Sequence, residues 1–416
     1  MALLLVVPAI APAKSNAPGR FAIQARLDHR VDALSVNDLL HLPPDKLVDP
    51  FRQRAAYALA HFTRPAFFIT VFCQFGALLW LWHSGSAARL RDQLRRSIRH
   101  VVAVRALFGA LLGLIASVAA LPMSFASYRI LHNAGLVPQD TASWLKDAAI
   151  EDVLTAIAAG VLVAMVMWFV ARSRQWYLYT AALLYGFGLL ILFAEPTLFA
   201  PMFNTFQPLP VTSPVYARVH AVVVDAGIGN AGIYITNDSK QSVAANAYVS
   251  GVGPSKRIVI GDTLLRTATP GEVAFTVAHE IGHYKNHDTL HGLFIAWLCF
   301  IFSSAIAVLI ADRIGFRSDD DPLARLALVG SLLLLAGLIT YVPLFNVYSR
   351  GIEARADRVA LALTRDPASG VRLFVRTADD GMALVCPSAA VRFYFYSHPP
   401  VGSRIAALRG EPDPCR

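Results

Sequence analysis

HEIGHYKNHDTLHGLFIAWLCFIFSSAIAVLIA, His279 to Ala311, sets two histidines four residues apart around a glutamate and then runs into an apolar segment, Leu293 to Ala311. As a helix rising 1.5 Å per residue, a run of that length matches a hydrocarbon core of about 30 Å. A metal-binding pattern therefore stands at the mouth of a membrane span.

Five further apolar runs of similar character lie outward from it: Ala66 to Trp82, Val101 to Leu121, Val153 to Val170 and Trp176 to Phe193 before it, and Leu326 to Tyr348 after it. The chain of 416 residues is 56% hydrophobic and only 16% charged, whereas soluble domains have about a quarter of their residues charged. Six spans and this deficit predict a mainly α-helical, polytopic integral membrane protein. Arg105 falls inside the second run, where it must face the bundle interior or snorkel from the end.

The net charge of +9 sits largely beside the spans, as in Arg89, Arg91, Arg95, Arg96 and Arg99, where basic residues orient membrane helices. No nucleic-acid-binding motif accompanies it, so the expected partners are the bilayer and a peptide or protein substrate, with no nucleic acid. Cys73 and Cys299 lie within spans, Cys386 and Cys415 in the C-terminal polar region, and no Cys-x-x-Cys spacing points to a structural zinc knuckle.

Five segments follow. Residues 1–64 form an N-terminal segment: the apolar start MALLLVVPAIAPAK reads as a signal or a truncated first helix, and short amphipathic helices broken at Leu42-Pro43-Pro44 follow it. Residues 65–199 carry four spans. In 200–288, VHAVVVDAGI, GIYITND, ANAYVSGVG and RIVIGDTLL carry the punctuation of strands and turns, which predicts a small α+β, zincin-like catalytic domain. Residues 289–348 form a transmembrane hairpin, and 349–416 complete the catalytic domain.

Thr269-Pro270-Gly271-Glu272 is a capping box with proline at the first helical position. The helix it starts should be continuous, or nearly so, to about Ala311, since no proline interrupts it and its two glycines, Gly282 and Gly292, cost only about 1 kcal/mol each. His279 and His283 then share one face and can reach a single Zn2+, one per chain, beside Glu280, which is placed to take a proton from a water activated by the metal. A third ligand comes from chain geometry. Two spans return the chain to the side it left, and a hairpin folded at Arg317–Pro322 sets Glu353 opposite His283. Asp357, four residues beyond Glu353, shares its helical face and is expected to orient a ligating histidine. His287 is the rival ligand, but three ligands stacked along one straight helix do not surround an ion tetrahedrally.

These motifs resemble those of the integral-membrane gluzincin peptidases typified by the CAAX prenyl endopeptidase. HEIGHYKNHD is similar to that family's zinc helix, SRGIEARAD to its third-ligand helix, and SHPPVGSRIAAL to its C-terminal signature; ANAYVSG and EPTLFAPMFNTFQPLP resemble its substrate-strand and pre-catalytic segments. The resemblance runs from about Ala66 to Leu408. It implies that Asn246, Ala247 and Tyr248 belong to an edge strand that holds substrate by strand addition. It implies further that His398 stabilises the oxyanion and that Arg404 is a supporting charge. A departure is expected as well: the family's eukaryotic prenyl proteases have seven spans, and here the first is absent or reduced to Met1–Lys14.

The function expected is a membrane-embedded zinc endopeptidase, a hydrolase acting on membrane-associated or lipidated, CAAX-like peptides. The competing readings are a broad-specificity quality-control protease for membrane proteins and a zinc-bound scaffold without catalysis; Glu280 argues against the latter, because a structural site has no use for a base. Sidedness follows from the short loops. Residues 83–100 hold five Arg and Lys, 171–175 two and 312–325 three, all on one face if there are six spans. The positive-inside rule makes that face cytoplasmic and the zinc domain external, in a bacterial inner membrane, while the resemblance to the eukaryotic proteases points to a cytosolic site. An external domain would permit a Cys386–Cys415 disulfide, with free thiols the alternative.

Overall fold

The computed structural model describes residues 30–137, 139–194, 200–240, 245–251, 256–314 and 322–416. Met1–Lys14 and the fold point of the hairpin, Arg317–Asp321, lie outside them. Among the described residues six helices are long and apolar enough to cross a membrane. The first four are α1 (Pro50–His83), α2 (Val101–Asn133), α3 (Thr141–Val170) and α4 (Trp176–Ala194).

The short helices Val36–His41 and Pro44–Leu47 flank the expected proline break. α1, however, starts at Pro50 rather than near Ala66: Asp49 caps it by accepting from the Phe51 and Arg52 N–H groups, and the helix runs through Pro65. A proline inside a membrane helix is tolerated because the alternative, an unravelled backbone in lipid, is far costlier. α2 and α3 meet through glycines. A side chain at Gly109 would come within 2.7 Å of the Ala159 carbonyl, and one at Gly160 within 2.7 Å of the Ala106 carbonyl. Small residues here let two backbones approach closely where no hydrophobic force drives them together.

The polar region builds a four-stranded sheet, β1 (Phe206–Pro208), β2 (Gly232–Thr236), β3 (Ala247–Ser250) and β4 (Arg257–Gly261), in the order β1-β2-β4-β3. β2 and β4 are parallel; β1 and β3 flank them antiparallel, so β3 is an edge. VHAVVVDAGI departs from its strand-like reading. It lies mostly in helix α5 (Pro214–Asp225), capped by Ser213, because Val215, Val219, Val222 and Val223 recur with helical period and all face the core.

α6 (Pro270–Lys285) starts on the expected capping box. Glu272 is completely buried, serves that box, and accepts from Arg376 Nε at 2.9 Å, which anchors the helix to α10 (Pro367–Asp380). The expected helix is interrupted at one point. α6 ends at Asn286, whose side chain donates to the Gly282 carbonyl at 2.8 Å, and His287 takes a left-handed conformation (φ 53°, ψ 34°) before α7 (Asp288–Arg313) begins in a new direction. Histidine and asparagine accept such geometry more readily than most residues.

α7 returns as α8 (Pro322–Ala336), a π-helical turn (Gly337–Tyr341) and α9 (Val342–Thr364). Ser303 and Thr340 hydroxyls meet across this hairpin at 2.7 Å. The wide turn lies just before Pro343, which cannot donate a helix bond. The N-terminal residues Val31, Leu39, Leu47 and Val48 join the same core as α5, α6 and α10, and a final helix, α11 (Val401–Arg409), closes it.

Candidate metal centre

α6 and α9 cross in close contact at Gly282. A Cβ there would lie 3.2 Å from the Ala356 Cα and 3.2 Å from the Val359 Cβ, so the glycine between the two histidines admits the second helix. That approach brings His279, His283 and Glu353 together, each offering one ligand atom within 4.8 Å of the others. His279 Nε2 is 3.1 Å from Glu353 Oε2 and 3.0 Å from His283 Nε2; His283 Nε2 is 3.6 Å from Glu353 Oε1.

The far sides of both rings are committed. Asp357 Oδ1 lies 2.9 Å from His279 Nδ1, and Arg404 grips the same carboxylate through Nη2 at 2.6 Å and Nε at 2.8 Å. Held by that fork, Asp357 is ionised and only accepts, so His279 Nδ1 carries the proton and Nε2 keeps its lone pair. Asp288 Oδ2 lies 3.0 Å from His283 Nδ1, and Arg355 Nη2 pairs with its other oxygen. Two lone-pair nitrogens and a carboxylate, each ring fixed by an outer carboxylate, form a donor set that suits a zinc ion.

Beside His279 in sequence, Glu280 is half-buried, and burial raises its carboxyl above the usual range, offset in part by the neighbouring imidazoles. His398 stands exposed with Nε2 3.3 Å from Glu353 Oε2, and its Nδ1 meets the Ser397 hydroxyl at 3.0 Å. Ala247 and Tyr248 lie in β3, packed beside α6; Asn246 immediately precedes the strand, exposed, with its carbonyl accepting from Gly261 N at 2.8 Å. His287 is absent from the ligand group, its backbone instead making the turn into α7.

Sequence reasoning missed Asp288 and Arg355. On an unbroken helix Asp288 would sit five residues past His283 and point well away from it; the turn at His287 swings it back. Asn286-His287-Asp288, three residues that favour turns, was the available signal.

Residues 212–412 match the family model of Peptidase family M48, and residues 48–205 match the one described as CAAX prenyl protease N-terminal, five membrane helices. An uncharacterized metalloprotease, YhfN of Bacillus subtilis (strain 168), is 26% identical over 373 residues, covering 87% of this chain and 86% of that one. The CAAX prenyl protease 1 homolog of Arabidopsis thaliana is 26% identical over 386 residues, 87% and 88% of the two chains. The fold matches the crystal structure of S. mikatae Ste24p with a TM-score of 0.74 at 19% identity, covering 94% of this chain and 96% of that one. With a zinc-type donor set at the end of a membrane hairpin and both halves of the chain matched in order, the protein belongs to the membrane metallopeptidases of family M48, the CAAX prenyl protease-like hydrolases.

Proposed function

We propose that the protein is a zinc endopeptidase for membrane-associated or lipidated, CAAX-like peptides, with one zinc per chain held by His279, His283 and Glu353. The observation that carries this reading is the pair of imidazoles whose Nδ1 atoms are taken by Asp357 and Asp288 while their Nε2 atoms converge with Glu353 beside a half-buried carboxyl, Glu280. A zinc ion, when bound, supplies Lewis acidity to a water molecule and to the scissile carbonyl.

Glu280 takes a proton from the attacking water and passes it to the amine nitrogen as the C–N bond breaks, leaving a carboxylate and an amine. Its raised proton affinity suits both halves of that transfer. His398 donates to the oxyanion from the open side of the site. Asp357 and Arg404 hold His279 in its ligating tautomer. β3 is the outer strand of the sheet among the described residues, and Asn246, Ala247 and Tyr248 are proposed to align the extended substrate backbone there. The lipidated substrate class is supported by the prenyl protease relatives, which the chain matches nearly end to end. Glu280→Gln should lower kcat by about 100-fold or more while zinc content stays at that of the wild type; cleavage of a prenylated reporter peptide at the wild-type rate would overturn the reading. Equal rates on the unprenylated peptide would favour the broad quality-control protease.

The zinc site is proposed to face outward from the cytoplasm of a bacterial inner membrane. Support comes from the arginines of the loops between α1 and α2, α3 and α4, and α7 and α8, and from the Cys386–Cys415 disulfide, a bond that persists in oxidising compartments. A reporter enzyme fused after Arg416 should be active only when it requires an oxidising compartment. Activity confined to a cytoplasmic reporter would reverse the assignment.

A further inference from the structure

Four polar residues of α9, Asn346, Arg350, Glu353 and Asp357, follow one another at intervals of four, three and four, which on a helix of 3.6 residues per turn makes one stripe. Half of the stripe is the metal centre: Glu353 stands with the imidazoles and Asp357 behind His279. The other half meets main chain instead. Asn346 Nδ2 donates to the Tyr394 carbonyl at 2.7 Å, and Arg350 Nη1 donates to two carbonyls, that of Arg392 at 2.9 Å and that of Tyr396 at 2.6 Å.

These carbonyls belong to the end of a short helix, Ala389–Phe395, and to the residue after it. The last carbonyls of a helix have no partner within it, and a cation placed there also meets the helix's negative pole. Ser397-His398-Pro399-Pro400 comes next, and then α11. Two prolines carry no N–H and the residue before a proline is held extended, so this link cannot fix its own course by a hydrogen-bonded turn. It is strung between two points on α9: the Tyr396 carbonyl on Arg350, and, beyond the link, Arg404 on Asp357. His398 hangs between them, its side chain 54% exposed and its Nε2 3.3 Å from Glu353 Oε2. A ring so exposed is placed by the main chain that carries it.

We propose that Arg350, together with Asn346, is a positioning residue for the peptidase reaction: by holding the carbonyls that precede the link, it sets His398 beside Glu353, within reach of the oxyanion. This rests on the oxyanion role proposed for His398 above. Such a donor works only at the right distance, and a misplacement of about 1 Å can cost about 100-fold in rate. The short helix has a second anchor of its own. Phe395 meets Phe67 and Phe68 edge-on at 5.7 and 5.6 Å, and Tyr394 meets Phe68 at 5.9 Å. Removing the Arg350 donors therefore loosens the link without unseating the helix.

The test uses the full-length, zinc-loaded protein in detergent with a fluorogenic prenylated peptide. Arg350→Met keeps the apolar stem and removes the donors; it should lower kcat by about tenfold with KM within about twofold of wild type and zinc content unchanged, and Asn346→Leu should lower kcat by about threefold. His398→Ala should cost about 100-fold. R350M/H398A should then match H398A within about twofold, because residues that act through one donor are not additive. A phosphinic peptide, whose anionic oxygen stands in for the oxyanion, should bind R350M about tenfold more weakly than wild type. If R350M folds poorly or loses zinc, N346L takes its place in the double-mutant comparison. The proposal falls if R350M and N346L both keep the wild-type kcat, or if the phosphinic peptide binds R350M undiminished. It falls alone, with the role of His398 intact, if H398A is slow but the two losses multiply in the double mutant, as separate structural damage would make them. A wild type that cleaves nothing, or H398A at the wild-type rate, would remove the reading on which it rests and the proposal with it.

Discussion

Two Arg–Asp–His chains converge on the candidate metal centre, and they are built differently. Both span three helices, but in Arg404–Asp357–His279 the aspartate is far from the histidine in sequence and the chain is closed: the side chains of Arg404 and Asp357 are only 14% and 5% exposed, and the Arg404 guanidinium lies 4.0 Å above the Phe374 ring. Arg355–Asp288–His283 keeps its aspartate just five residues from the histidine. Its aspartate is as buried, at 2% exposed, but its arginine is 42% exposed. The first aspartate reaches its histidine through the packing of α6 against α9 at Gly282, the second through a local left-handed turn at His287. The difference teaches that equivalent second carboxylates need not have equivalent strength: where water can replace the arginine, the aspartate is less dependent on it.

The largest expected effect lies in the carboxylates themselves. Asp357→Asn should weaken zinc binding by about 100-fold and Asp288→Asn by about tenfold, measured by competition with a fluorescent chelator. Equal losses would erase the distinction drawn here, and a larger loss at Asp288 would invert it. Removing the arginines comes next. Arg404→Gln strands a buried carboxylate and should reduce kcat/KM by about tenfold, whereas Arg355→Gln, its site open to water, should cost about twofold. Added salt should narrow the gap between Arg355→Gln and wild type but not that of Arg404→Gln. The smallest effect is expected at the turn. His287→Gly relieves a left-handed backbone, so it should raise thermal stability by about 1 kcal/mol while leaving zinc affinity within about twofold of wild type. A marked loss of zinc instead would show that the His287 side chain, and not just its backbone, serves the site.

The metal centre was legible to different depths along these two chains. His279, Glu280 and His283 follow from spacing on a helix whose start the capping box at Thr269 announces, and the structure places that start as read. Glu353 and Asp357 follow from counting two spans and from their i, i+4 spacing, which survives the π-helical turn between α8 and α9 because the turn lies before both residues. Arg404, His398 and the β3 edge were reached only through resemblance. No local pattern ties them to the zinc helix, from which they are separated by at least one other element. Asp288 and Arg355 were missed because no turn was expected at His287. The strand-like reading of VHAVVVDAGI failed for a related reason, since an apolar run alone does not choose between periods of 2 and 3.6.

From the sequence by itself came the membrane class, the six spans and the zinc-type histidine pair around Glu280, because each depends on short-range regularities: the length of an apolar run, the pitch of a helix, the residues that open one. Only the tertiary structure decided how the rings are aimed. Orientation depends on which carboxylate stands behind each imidazole, and that is set by the close crossing of α6 and α9 at Gly282 and by one left-handed residue at His287. Neither leaves a periodic trace in the chain, since a helix crossing joins residues far apart in sequence and a single backbone angle changes direction without changing composition.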